Sequence, residues 1–159
     1  MSPHVVSVDQ LAEVSAEFQR DGKRLVATNG CFDLLHLGHV RYLQAARALG
    51  DALAVGVNGD ASVRALKGEG RPLNREEARA EVLAALRCVD YVAVFPEVRA
   101  TEFLKRVRPA IYVKGGDYKP ETLNEEEREA LAEMNAEIRI LPLEPNYSTT
   151  ALIEQKSCV

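Results

Sequence analysis

Tryptophan is missing from this chain, and aromatic residues make up only 6% of its 159 positions. Its three cysteines, Cys31, Cys88 and Cys158, lie far apart and form no C-x-x-C pair. That spacing argues against a disulfide framework or a thiolate zinc site and suits a reducing cytoplasm. No apolar run approaches the roughly 20 residues that span a bilayer. The opening Met1-Ser2-Pro3-His4 lacks the basic and apolar regions of a signal peptide, so no membrane partner is expected. Positive charge is also short: 20 Lys and Arg against 24 Asp and Glu leave a net charge of -4, which points away from a nucleic-acid partner. An anionic ligand would have to be held by local positive groups.

What is present is a packable soluble sequence, 47% hydrophobic and of a length that suits one domain. Residues 1–22 read as an N-terminal helical extension, opened by the capping box Ser7-Val8-Asp9-Gln10 and ended by Gly22. Strands and helices then alternate. Strands are expected at 24–28, 52–57, 91–95, 110–113 and 137–141. Helices are expected at 40–49, 61–66, 75–87 with Asn74 as cap, 101–107, 124–134, and from Ser148 to about 155. This order predicts an α/β fold, a doubly wound parallel five-stranded sheet with helices on both faces. Ligands of such sheets bind beyond the carboxyl ends of the strands, where the strand order reverses. The polar, glycine-containing segments 29–39, 58–60, 114–117 and 146–150 follow strands and would converge there. The acidic run Glu125-Glu126-Glu127 with Glu129 reads as a solvated helix face.

The most informative stretch is Asn29-Gly30-Cys31-Phe32-Asp33-Leu34-Leu35-His36-Leu37-Gly38-His39. A strand runs into a tight turn, and two histidines flank a glycine at a helix start. Free backbone N–H groups and the helix dipole attract anions there. Gly38 lets a phosphate approach the backbone, and His36 and His39 add donors that can neutralise its charge. No H-E-x-x-H spacing and no nucleophile–base pair accompany them, so stabilising charge at phosphorus is the better role.

This stretch resembles the signature of the H-x-G-H nucleotidyltransferases, and Ser148-Thr149-Thr150 followed by Ala151-Leu152-Ile153 resembles the second nucleotide-binding motif of their cytidylyltransferase-like branch. Three further segments, 57–63, 66–74 and 113–120, resemble the D-glycero-β-D-manno-heptose 1-phosphate adenylyltransferases. In many bacteria that domain is fused behind a sugar kinase, for which this length leaves no room, so the stand-alone form is expected. The resemblance implies a Rossmann-like nucleotidyltransferase fold and attack of a sugar-phosphate oxygen on the α-phosphorus of ATP. Pyrophosphate leaves, and Mg²⁺ is carried on the triphosphate rather than in a protein cage. Partners would be ATP, or CTP, and a phosphorylated small-molecule acceptor, in a homo-oligomer. A CTP-dependent enzyme for glycerol-3-phosphate is the same-class alternative, and a non-catalytic nucleotide-binding domain is the alternative of another class.

The resemblance also implies roles. His36, His39, Lys67 and Arg79 would act in catalysis, with the loop 68–70 as a lid. Arg79 could instead form an i, i+3 ion pair with Glu76. Asn29, Gly30, Cys31, Phe32, Gly38, Lys114, Gly115, Gly116, Asp117, Ser148, Thr149 and Thr150 would line the nucleotide. Lys114, Gly115, Gly116 and Asp117 border either the base and ribose or the acceptor sugar. Asp33, Asp60 and Arg71 would serve the substrate, Asp33 and Asp60 also reading as loop-orienting or capping residues. The segment 143–147 lacks the arginine of some cytidylyltransferases. Asn146 stands where the family usually has glycine, and asparagine suits a left-handed turn there.

Overall fold

Apolar strand residues here point alternately to two helical layers, so the sheet is covered on both faces. The computed structural model describes residues 4–116 and 119–156. Five strands, β1 (Leu25–Gly30), β2 (Ala52–Asn58), β3 (Tyr91–Phe95), β4 (Ile111–Gly115) and β5 (Glu137–Leu141), form one sheet in the order β3-β2-β1-β4-β5. Every neighbouring pair is parallel. This is the Rossmann-like α/β fold expected from the sequence. The order reverses between β1 and β4, which fixes where a ligand crevice can open.

The helices are α1 (Val8–Arg20), α2 (Leu37–Arg47), α3 (Asp60–Lys67), α4 (Glu76–Ala84), α5 (Thr101–Val107), α6 (Glu125–Glu133) and α7 (Thr149–Lys156). On one face Tyr42, Leu43, Leu83 and Ala84 of α2 and α4 pack on Val26, Leu53, Val55 and Val113. On the other, Leu11, Phe103, Leu104 and Leu131 of α1, α5 and α6 pack on Leu25, Ala54, Phe95 and Tyr112. The initial helix is therefore a working part of the second layer. Its Ser7–Gln10 capping box forms as expected. No helix among the described residues is long and apolar enough to cross a membrane.

Two helix starts differ from expectation. Helix α2 begins at Leu37 with His36 at its N-cap, so the two histidines bracket its first turn. Asn74 does not cap α4. Arg75 takes that position, while Asn74 donates its side-chain N–H to the Asp33 carbonyl at 2.9 Å.

Candidate active site

Beyond the carboxyl ends of β1 and β4 lies an open cavity of about 560 Å³. Its β1 wall is the turn Asn29-Gly30-Cys31-Phe32, with His39 behind it. Phe32 holds a left-handed φ of 47°, unusual for a bulky residue. Its ring lies over Gly30, where a Cβ would come within 3.0 Å of it. The ring then meets His39 edge-on, 5.4 Å between centroids. Helix α2 is anchored beneath by Tyr42, whose buried hydroxyl donates to the Val113 carbonyl and pairs with Thr28 Oγ1 at 2.7 Å. That one residue ties the histidine helix to both strands at the crevice.

The two imidazoles stack, with centroids 3.9 Å apart and planes inclined by 24°. The His36 ring also faces Tyr147. A Cβ at Gly38 would meet the His36 ring at 3.0 Å and Tyr147 Cβ at 3.1 Å, so the glycine is what lets the stack close. The His36 side chain makes no capping hydrogen bond. Both Nδ1 atoms are buried without a partner, an arrangement that a buried polar atom adopts only at a cost. Burial pushes the His39 ring down to about 4, and the adjacent His36 adds to the effect. His36 is lowered by burial as well. Burial opposes a proton on either ring and their closeness opposes a second, whereas an anion beside them would invite one.

Positive groups surround the rest of the opening: exposed Lys67 at the end of α3, Arg71 in the loop after it, Arg99 before α5 and Lys114 at the end of β4. Thr149 and Thr150 of α7 complete the rim. Thr149 Oγ1 donates to the Leu34 carbonyl at 3.2 Å, binding α7 to the histidine loop. Ser148 is the cap, accepting from the Ala151 N–H, and stands outside the cavity lining. Asn146 has φ 69°, the left-handed turn that its position requires.

Several residues expected at the substrate do other work. Arg79 is 2% exposed. It donates through Nε to the Asn74 carbonyl and through one terminal nitrogen to the carbonyls of Cys31 and Asn58. Its other terminal nitrogen bonds Asp60 Oδ1 at 2.8 Å. It neither lines the cavity nor pairs with Glu76, whose carboxylate accepts the Asp60 N–H instead. Arg79 thus clasps the ends of β1 and β2 and the loop before α4, and is a positioning residue. Asp60 is its counter-ion and lies outside the cavity lining. Asp33 accepts from the Leu73 and Asn74 N–H groups and from Arg71 Nε. Burial alone would raise its carboxyl, but these donors outweigh burial and hold it below the usual range. It fixes the loop that presents Arg71. Gly115 and Gly116 sit at the end of β4, Gly116 with φ 114° and its N–H donated to the Leu141 carbonyl. Neither lines the main opening. Asp117 lies outside the described residues.

One residue of the acidic run contradicts the solvated reading. Glu125, Glu126 and Glu129 are exposed, but Glu127 is 4% exposed and lines the cavity. It shares the buried face of α6 with Ala130 and Leu131, at spacings of three and four. That periodicity was in the sequence, hidden by the chemistry of its neighbours. Asn58, in the segment 58–60 expected at this edge, lines the cavity, whereas Arg99 was missed, since it follows β3 without a glycine to mark it. Among the described residues, no three His, Cys, Asp or Glu side chains cluster so as to hold a metal ion.

The family model described as cytidylyltransferase-like matches residues 27–155. The bifunctional protein HldE of Syntrophotalea carbinolica is 49% identical over 147 residues, 92% of this chain and 30% of the relative. The protein of the same name from Rhodopseudomonas palustris strain HaA2 is 51% identical over 140 residues, 88% of this chain and 28% of the relative. The chain therefore spans about three-tenths of the length of these relatives. A crystal structure of the lipopolysaccharide core biosynthesis protein from Thermoplasma volcanium GSS1 superposes with a TM-score of 0.64 at 28% identity, covering 80% of this chain and all of that one. The model match over most of the chain, on the sheet order and crevice just described, makes this protein a member of the cytidylyltransferase-like family of nucleotidyltransferases.

Proposed function

We propose that this protein transfers AMP from ATP to D-glycero-β-D-manno-heptose 1-phosphate and releases pyrophosphate. The observation that carries the reaction is the stacked His36–His39 pair at the start of α2, with unpartnered buried nitrogens beside a cavity rimmed by cations. The resemblance of segments 57–63, 66–74 and 113–120 to heptose 1-phosphate adenylyltransferases supports the choice of acceptor and of ATP. So does the likeness to relatives called bifunctional and to a lipopolysaccharide core biosynthesis protein.

In this reading the triphosphate lies along His39, Lys67 and the α2 and α7 helix starts. Mg²⁺ arrives as part of the MgATP substrate. The acceptor's phosphate oxygen attacks the α-phosphorus, the bond to the β-phosphate oxygen breaks, and pyrophosphate carries away the electron pair. No covalent enzyme intermediate forms. The protein's contribution is alignment and neutralisation of charge spreading over the phosphates, the terms that dominate phosphoryl-type transfers. Lys67, at the exposed end of α3, lines the opening where the triphosphate would lie.

A matrix of ATP and CTP against heptose 1-phosphate, glycerol-3-phosphate and other phosphorylated acceptors, scored by pyrophosphate release, tests the reading. Turnover with ATP and heptose 1-phosphate is expected. Turnover confined to CTP and another acceptor overturns the substrate assignment, and nucleotide binding without turnover on any acceptor overturns the activity.

A further inference from the structure

Glu127 is the anomaly of the cavity. A site for polyanions has no use for a free carboxylate beside the phosphates, since like charges repel. Yet the Glu127 side chain is 6% exposed, lines the opening, and has one oxygen, Oε2, without a hydrogen-bond partner. Its other oxygen, Oε1, accepts the Ala100 N–H at 3.3 Å, which fixes the carboxylate to the start of α5. Lys114 Nζ stands 3.8 Å from Oε2, beyond hydrogen-bond reach.

That gap has the dimensions of one bridging oxygen. A hydroxyl about 2.8 Å from both atoms could donate to Oε2 and accept from the lysine. A phosphate oxygen could not, because it has no proton to give the carboxylate. The neutral, hydroxyl-bearing part of a ligand gives Oε2 the donor it lacks while staying within reach of the lysine, and a buried oxygen left without a hydrogen bond is costly.

We propose that Glu127, with Lys114, forms the sugar-hydroxyl subsite of this cavity and so helps determine which sugar is accepted. The subsite rests on the nucleotidyltransferase reading for its ligands. The hydroxyl could belong to the ribose of the nucleotide or to the acceptor sugar, and the two sources separate experimentally. Phosphates then occupy the histidine side and hydroxyls the glutamate side, so the cavity sorts its ligands by charge from one end to the other.

The test compares wild type with Glu127→Gln, which keeps an oxygen for the Ala100 N–H but adds an N–H donor at the subsite or withdraws the acceptor there. Binding of ATP, 2′-deoxy-ATP and 3′-deoxy-ATP is measured by calorimetry, and KM for the acceptor by pyrophosphate release. Thermal unfolding checks that the variant folds. If the ribose is the ligand, wild type prefers ATP over one deoxy analogue by about tenfold and the variant loses that preference. If the acceptor is the ligand, its KM rises about tenfold in the variant while nucleotide affinity holds. A folded variant with unchanged nucleotide preference and unchanged acceptor KM overturns the proposal and leaves Glu127 as an anchor for α5. Should the variant fail to fold, a crystal structure of wild type with bound nucleotide and acceptor decides. A sugar oxygen within hydrogen-bond distance of Oε2 supports the subsite, and water alone there overturns it. Absence of turnover on every acceptor would defeat the activity proposed above, but the calorimetric arm needs no turnover and still reports on Glu127.

Discussion

The two ends of the cavity are built in opposite ways. The histidine end draws its residues from eleven consecutive positions, a strand, a turn and a helix start, which distant residues then brace. The Glu127 end joins three separate elements: β4 supplies Lys114, the α5 start supplies Ala100, and α6 supplies the carboxylate. A local site announces itself as a motif. An assembled one is visible only after folding, because each contributor looks ordinary beside its own neighbours. Chemistry shared by a family sits naturally at the first kind of site, and substrate choice at the second.

The contrast can be broken most severely at the Arg79 clasp, which holds the turn of the histidine end. Replacing Arg79 with Met leaves Asp60 and three backbone carbonyls without their donor. Loss of one partner from a buried charge network costs about 3 kcal/mol or more, so a large fall in Tm is expected, with activity lost in proportion to folded protein. A change of less than a few degrees in a thermal melt would mean that the clasp is dispensable.

Next in size is His39→Ala. Removing a preorganised donor at the developing charge lowers turnover by about 10² to 10³. The fold should survive, because the ring has no hydrogen-bonded partner at Nδ1 to lose. Near-wild-type kcat would show that the histidines are packing residues.

Gly38→Ala sharpens the comparison more gently. The new methyl would press on the His36 ring and on Tyr147. Better helix propensity, by about 1 kcal/mol, offsets that pressure, so Tm should hardly move. The displaced ring should still cost about tenfold in kcat, since small misplacements of reacting groups are expensive. Equal losses of stability and activity would contradict a positioning role.

The smallest effect is a proton. In the folded protein His39 sits at about 4 rather than its ordinary 6.5. The unfolded chain therefore binds more protons between those values, and stability falls as pH drops from 6.5 towards 4 and levels off below. A bound triphosphate favours the charged ring, so nucleotide binding should take up protons and tighten as pH falls from 6.5 towards 4. Calorimetry in buffers of different ionisation enthalpy measures the uptake; a buffer-independent enthalpy would exclude it.

These differences also mark how far the chain could be read unaided. All five strands were legible, because short apolar or alternating runs bounded by turns leave few alternatives. The start of α2 was placed three residues late, since a histidine gives no capping signal of the kind serine or aspartate gives. Asn74 looked like a cap and is instead recruited by Asp33, a contact across 41 positions that no local rule contains. Arg79 was singled out by its resemblance to a family arginine near the phosphates, with an i, i+3 pair to Glu76 as the alternative; its partners are instead the turn after β1, the end of β2, Asp60 and the loop before α4. Glu127 was lost among exposed glutamates although its heptad-like partners Ala130 and Leu131 were in plain sight.

The Arg79 clasp carries one more consequence. A single side chain holds carbonyls at Cys31, Asn58 and Asn74, so none of these three segments can loosen without releasing the others. Opening of the crevice floor is then all-or-none. In amide hydrogen exchange, the turn after β1, the end of β2 and the loop before α4 should share one opening free energy, distinct from the exposed loop at 68–70, which would exchange on its own clock.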